Sequence, residues 1–481
     1  MPNKLTHYIG GRAVAGQAAT WDAIYNPALG TAIAEVPLDD SAAVDQAVQT
    51  AHDAFPAWAA TPILERARIM FRYRDLLVRH RGELQASVTQ EHGKIASDAA
   101  NEVGRGIEVV ELAAGAPQLL KGELLNQVAH GVDVSLSRVP LGVVAGIAPF
   151  NFPAMIPLWM IPPALVSGNT MVFKPSERTP LTALLLYELL MQAGLAPGVL
   201  NIVHGGSVVV DTLLQHPEVK AVSFVGSQPV AEHVYRTAAR HKKRVQALGG
   251  AKNFHVVMPD ANWDRTLEGL AGSAFGSAGE RCLAGSVAVA VKDAGDRLID
   301  AMTRRIRTMR IGDGRDPESE MGPLIRERHR DRVRDYIKLG VAEGARLVYD
   351  GREHRVPDSG YFLGPSLFDG VQETMRIARE EIFGPVLSVI RVDTLEEAVE
   401  LANRSRFGNT ATLYTQSGGA ARYFRSHVQA GMVGINIGVA APVAWFPFAG
   451  WKDSFYGDLH ATGTDAFWFY TERQVVTERW D

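Results

Sequence analysis

The chain carries one cysteine in 481 residues, Cys282, within the run S-A-G-E-R-C-L-A-G at 277–285. A lone thiol among small residues is either a compact buried hydrophobe or a nucleophile. Glu280 and Arg281 beside it are not core residues, and an adjacent guanidinium favours thiolate over thiol. Asn151, in P-F-N-F-P at 149–153, is either a turn residue before Pro153 or a side-chain donor. Lys174 and Glu177, in K-P-S-E, are either a solvated pair or a ligand contact. Ser227, after Gly226, has an ordinary helix N-cap as its alternative. Arg105 stands between Gly104 and Gly106, which weaken a helix without an evident packing reason; a surface pair with Glu102 or Glu108 is the competing explanation. There is no G-x-G-x-x-G after the first strand of the sheet, no G-x-x-x-x-G-K-[ST], no H-E-x-x-H and no C-x-x-C, and the fourteen histidines show no ligand spacing. No metal centre is expected.

These groups need a scaffold, and from Leu141 onward the sequence describes one. L-G-V-V-A-G-I-A-P, T-M-V-F-K-P-S, V-L-N-I-V-H-G, A-V-S-F-V-G and R-V-Q-A-L-G-G are short β-branched runs closed by Gly, Pro or Ser and separated by helical stretches. Such alternation predicts βαβ units and a parallel sheet, with ligands at the carboxyl ends of its strands, where P-F-N-F-P, K-P-S-E and V-G-S fall. The clearest helix is expected at 179–191, capped by Thr179 with Pro180 at its first position; Ser41 and Thr61 are expected to cap two earlier helices. A second α/β section follows over about 249–439, with strands F-H-V-V-M-P, S-V-A-V-A-V-K-D and P-V-L-S-V-I-R-V and helices over 297–311 and 326–340. The tail F-W-F-Y-T-E-R-Q-V-V-T-E-R-W reads as a strand whose open edge suits pairing with another subunit.

Charged residues make up 21% and apolar ones 46%, the composition of an ordinary globular protein long enough for two domains. A net charge of −4 offers no basic field, so neither nucleic acid nor an anionic membrane is an expected partner. A single cysteine forms no internal disulfide, and M-P-N-K-L-T-H-Y-I-G-G-R-A-V has no apolar signal core, so a cytoplasmic location is expected. The apolar run from Leu141 to Phe173 is broken by prolines and asparagines and reads as buried core.

Six motifs appear in one order: P-F-N-F-P at 149–153, K-P-S-E-R-T-P at 174–180, S-F-V-G-S at 223–227, L-G-G at 248–250, G-E-R-C at 279–282 and E-E-I-F-G-P-V at 380–386. In this order they resemble the aldehyde dehydrogenases over essentially the whole chain. R-G-I-E-V-V-E-L-A-A-G at 105–115, H-K-K-R-V-Q-A-L-G-G-A-K-N at 241–253 and G-S-A-G-E-R-C at 276–282 are similar to its CoA-acylating methylmalonate-semialdehyde branch. The resemblance implies an α/β fold with a Rossmann-type NAD-binding domain (1–120 and 141–248), an α/β catalytic domain (249–441) and a small β oligomerisation element (121–140 and 442–481).

It also implies roles. Cys282 would be the nucleophile and Asn151 the oxyanion donor. Arg105, Arg281 and Phe152 would hold the substrate, the arginines through its carboxylate. Phe150, Lys174, Glu177, Gly226, Ser227, Glu381 and Phe383 would hold the cofactor. A carboxylate at Glu177 would accept from ribose hydroxyls and repel a 2′-phosphate, which favours NAD over NADP. Hydrolytic relatives carry glutamate before the L-G-G triplet as base for water; this chain has Ala247, and a methyl group takes no proton. The implied reaction is therefore NAD-dependent, CoA-acylating oxidation of malonate or methylmalonate semialdehyde with loss of CO₂, by a homodimer or homotetramer. The aromatic loop 444–448 is expected to line the pocket. Two alternatives stand beside this: a hydrolytic semialdehyde dehydrogenase, which Ala247 opposes, and a nucleotide-binding protein without turnover, which Cys282, Asn151 and Glu381 together oppose.

Overall fold

In the computed structural model, which describes residues 3–480, two parallel sheets carry the site. The first has five parallel strands in the spatial order Arg244–Leu248, Val219–Val225, Val143–Ile147, Thr170–Lys174 and Leu200–Ile202. Antiparallel strands extend it on both sides, Phe455–Gly457 at one edge and the hairpin Thr6–Ile9 and Arg12–Ala15 at the other. Strands Val143–Ile147 and Thr170–Lys174 are buried along their whole length and Val219–Val225 at every residue but Lys220, as expected for a sheet covered on both faces. The second sheet, of seven strands, is parallel from Ser366–Asp369 through Val386–Val392, Val287–Val291, Phe254–Val257 and Thr410–Tyr414 to Met432–Ile435. Each sheet has its own apolar core. Among the described residues no helix is long and apolar enough to cross a membrane. The apolar run from Leu141 contains helix Met155–Val166, buried from Ile156 onward.

Several local expectations are corrected. The cap of helix Ser41–Ala60 is Asp40, whose carboxylate accepts from Ala43 N at 3.1 Å, so Ser41 lies inside. Thr61 closes that helix, and the next, Ile63–Arg79, begins at Pro62 with no side-chain cap. Helix Leu181–Gln192 is capped through space: Glu91 accepts from Leu181 N and Thr182 N at 2.7 and 2.9 Å. Thr179 is thereby released, and its hydroxyl donates to the Phe150 carbonyl at 3.0 Å, tying down the P-F-N-F-P loop. The later helices run Ala294–Arg307 and Glu327–Ala342.

The tail is half helix. Gly463–Phe469 coils because Phe467 and Phe469 are buried in the first core, and only Thr471–Arg479 is extended. That strand pairs antiparallel along Val132–Pro140, which pairs with Glu123–Ala129, making a three-stranded sheet. The segment 442–481 therefore serves three sheets, since Phe455–Gly457 belongs to the first and Trp451–Lys452 pairs with Phe407–Gly408 in a two-stranded sheet.

Candidate active site

The P-F-N-F-P loop and the G-E-R-C loop meet where the two sheets face each other. Helix Ala96–Ala114 shapes both. Asp98, Glu102 and Arg105 are spaced i, i+4, i+7, which places them on one face of that helix. Glu102 is buried, bonds Lys94 Nζ at 2.6 Å and accepts from Ala154 N at 2.7 Å, at the start of the apolar helix. Lys94 also donates to the Asn151 carbonyl at 2.7 Å and lies over the Phe152 ring at 4.1 Å. Asn151 is thus held by its backbone, with its side-chain Nδ2 bonded to the Glu280 carbonyl at 3.1 Å.

Asp98 fixes the other loop. Its carboxylate accepts from Ser277 N and Oγ at 3.0 and 3.1 Å and from Arg281 at 2.6 Å. Ser277, Ala278 and Gly279 all have left-handed backbone, with φ of 50°, 53° and 73°. At Gly279 a Cβ would lie 2.3 Å from the Gly384 carbonyl, so no side chain fits between the loops. The Cys282 carbonyl accepts from Asn253 and Asn409 Nδ2, each at 2.9 Å.

Arg281 does not make Cys282 a ready thiolate. Its guanidinium is committed to Asp98, to Ser277 Oγ at 3.2 Å and to the Gly272 carbonyl at 3.3 Å. Burial pushes the Cys282 thiol up to about 12, and the negative charge of Glu381 adds to this; backbone N–H groups and Arg281 only partly oppose them. Arg281 still borders a cleft of about 390 Å³ shared with Asp98 and Val439. Arg105 pairs with Glu108 at 2.9 Å, as its surface alternative held, and also donates to the carbonyls of Ala441 and Pro442 at 3.0 and 2.7 Å. It thereby fastens the loop that follows Val439. Gly106 has a packing reason after all: a Cβ there would meet Leu158 Cδ1 at 2.6 Å.

The cofactor-side residues gather at the carboxyl ends of the first sheet. Lys174 is buried, donates to the Pro175 carbonyl at 2.9 Å and bonds Glu177 at 3.3 Å, so the pair is not a loose surface contact. Burial opposes charge on Glu177, but Lys174, a backbone N–H and Arg178 outweigh it and hold the carboxyl below its usual range. Ser227 precedes helix Gln228–Arg240 and makes no side-chain cap bond, leaving its hydroxyl and the helix N-terminus open to a ligand. Gly226 must lack a side chain, because a Cβ would sit 2.4 Å from Phe224 Cζ. Ser227 and Glu381 line one cleft of about 630 Å³. Glu381 accepts from Ala251 N at 2.9 Å and is raised by burial to about 7. Phe150 and Phe383 meet edge-on at 5.9 Å, and Phe383, at φ 59°, accepts from His329 Nε2 at 2.7 Å.

Ala247 is fully buried between Phe224 and Tyr456 on the neighbouring strands. Gln246 beside it is bonded to Ser223 Oγ at 2.9 Å and to the Leu459 carbonyl at 2.8 Å, so it offers no base either. Residues 14–476 match the profile of the aldehyde dehydrogenase family. The chain belongs to that family. Malonate-semialdehyde dehydrogenase of Halalkalibacterium halodurans is 53% identical over 477 residues, covering 99% of this chain and 98% of that protein. Malonate-semialdehyde dehydrogenase 2 of Geobacillus kaustophilus is also 53% identical, covering 99% of each. The crystal structure of methylmalonate-semialdehyde dehydrogenase from Oceanimonas doudoroffii superposes with a TM-score of 0.98 at 49% identity, covering 100% of this chain and 99% of that one. A Sinorhizobium meliloti protein assigned to the same activity and solved with NAD gives 0.98 at 44%, with the same coverage.

The dehydrogenase also contains groups that the motifs did not reveal. Asp98, Glu102, Lys94, Asn253 and Asn409 hold the loops, and the charged i, i+4, i+7 row on helix Ala96–Ala114 was the readable signal for two of them. Glu280, expected outside the core, is instead fully buried and raised by burial to about 8, with His92 Nε2 3.8 Å and His329 Nε2 3.5 Å from its oxygens. The aromatic loop is divided: Ala444 and Phe448 are buried, Phe448 4.8 Å from Trp159, whereas Trp445 and Phe446 are exposed.

Proposed function

We propose that this protein is a cytoplasmic, NAD-dependent, CoA-acylating dehydrogenase of malonate or methylmalonate semialdehyde, working through a Cys282 thioester. The open helix start at Ser227 and Glu381 on one cleft, with the Lys174–Glu177 pair at the end of the strand Thr170–Lys174, fit a dinucleotide. NAD, when bound, accepts the hydride of the thiohemiacetal carbon. Cys282 Sγ forms the bond to the aldehyde carbon, and Asn151 Nδ2 with the Cys282 backbone N–H stabilises the oxyanion. An amide has two N–H groups, and the one not bonded to Glu280 serves this purpose. Arg281 and Arg105 are assigned to the substrate's carboxylate, which would take the N–H groups left over from their bonds to Asp98 and Glu108 or displace those carboxylates.

A thioester bearing a β-carboxylate loses CO₂ to an enolate, which those donors also stabilise and which then takes up a proton. The CoA thiol attacks the acyl carbon, the bond to Cys282 Sγ breaks, and the thiol proton leaves to the departing sulfur or to solvent. The observation that carries this reading is Ala247. At the place where a base for water would stand there is a fully buried methyl group. Thr471–Arg479 and Glu123–Ala129 form the open edges of the three-stranded sheet and support assembly into a homodimer or homotetramer.

The substrate half of the proposal is tested with Arg105→Leu. KM for malonate semialdehyde should rise about tenfold or more, the worth of one charge-assisted hydrogen bond, with little change for propanal. Equal effects on both aldehydes would remove Arg105 from the carboxylate site.

A further inference from the structure

The large cleft that Ser227 lines carries a charge that neither the thioester chemistry nor the assigned dinucleotide contacts use. Four arginines, Arg332, Arg376, Arg379 and Arg406, line it against two carboxylates, Glu380 and Glu381, a surplus of two positive charges in a chain of net charge −4. Some of this charge is neutralised locally. Arg376 pairs with Glu380 at 2.8 Å, and Arg406 pairs with Asp453 at 2.7 Å. Arg332 donates to the carbonyls of Ile382 and Glu381 at 3.2 and 3.1 Å, lies over the Tyr336 ring at 5.2 Å and has no carboxylate within ion-pair distance among the described residues. Arg379 is exposed and makes no hydrogen bond or ion pair among the described residues. It stands where this cleft adjoins a second one of about 320 Å³, which Arg379 and Arg406 also line.

A guanidinium fork without a carboxylate partner at a cleft mouth suits a phosphate. The cleft leads to Glu381, whose charge is felt at the Cys282 sulfur. The dinucleotide is assigned above to the helix start at Ser227 and to the Lys174–Glu177 pair, which leaves the arginines for a second phosphorylated molecule that must bring a thiol to the same sulfur. We propose that Arg379, with Arg332 and Arg406, seats the phosphates of coenzyme A; the inference rests on the CoA-acylating reading above.

The test compares full-length wild type and Arg379→Ala with three acyl acceptors: CoA, dephospho-CoA, which lacks the 3′-phosphate, and N-acetylcysteamine, which has no phosphate. The readout is the ratio of kcat/KM for each acceptor to that for N-acetylcysteamine, together with KM for NAD. Arg379→Ala should lower the CoA ratio about five- to tenfold, the loss of one solvent-accessible charge-assisted contact. Arg379→Lys should restore part of it, because it retains the charge without the fork. If dephospho-CoA falls by the same factor, Arg379 holds the pyrophosphate; if only CoA falls, it holds the 3′-phosphate. Either result supports the assignment. An unchanged CoA ratio overturns it, and so does a rise confined to KM for NAD, which would give the rim to the dinucleotide. Failure of wild type to form any acyl-CoA would instead remove the CoA-acylating reading, and this inference with it.

Discussion

Cys282 must lose its proton in surroundings that oppose the loss. Burial and the Glu381 charge push the thiol up to about 12, so in the free protein near neutral pH the sulfur is protonated. Glu381 itself titrates near 7, so raising the pH through that point adds a negative charge next to the thiol. Glu381→Gln removes that charge and should lower the thiol pKa, giving faster iodoacetamide alkylation of the free protein at pH 8, by about threefold or more. An equal or slower rate would show that Glu381 does not control the thiol. Residue type and motif order singled out the thiol, the amide and the arginines as candidates. It could not show that Arg281 is committed to Asp98, 183 residues away in the chain, because an ion pair that distant leaves no local pattern.

At the scale of elements, helix Ala96–Ala114 connects the pieces. One of its faces holds the loop of Asn151 through Lys94 and Glu102, and holds the loop of Cys282 through Asp98. Its packing against helix Met155–Val166 requires a glycine at 106. Gly106→Ala should improve helix propensity yet destabilise the protein by about 1–3 kcal/mol through overpacking against Leu158, measured by urea denaturation. A stabilised variant would mean that the helices can separate freely there. The parallel strands were readable from their β-branched runs. Helix starts were not, because Glu91 caps a helix from 90 residues away, and the tail coils where aromatic residues enter the core.

At the scale of the whole molecule, the three-stranded sheet stands apart with exposed apolar side chains, Leu124 and Leu125 on one edge strand and Val475 on the other. Leu125→Lys with Val475→Lys should reduce the assembled mass in light scattering to a smaller oligomer or a monomer. An unchanged mass would place the subunit contact elsewhere. The two α/β sheets around a shared cleft were legible from the order of motifs alone. The spread of 442–481 over three sheets was not, since Phe455–Gly457 is a three-residue strand defined by its partner Arg244–Leu248 and not by its own composition.

The central claim is that the acyl group leaves Cys282 for CoA and not for water, and rapid mixing of the enzyme with NAD and malonate semialdehyde tests it most directly. Without CoA, NADH should form in one burst, one equivalent per Cys282, and then nearly stop. Adding CoA should restore continuous turnover and release acetyl-CoA. Steady NADH formation at the full rate without CoA, with acetate or malonate as product, would contradict it.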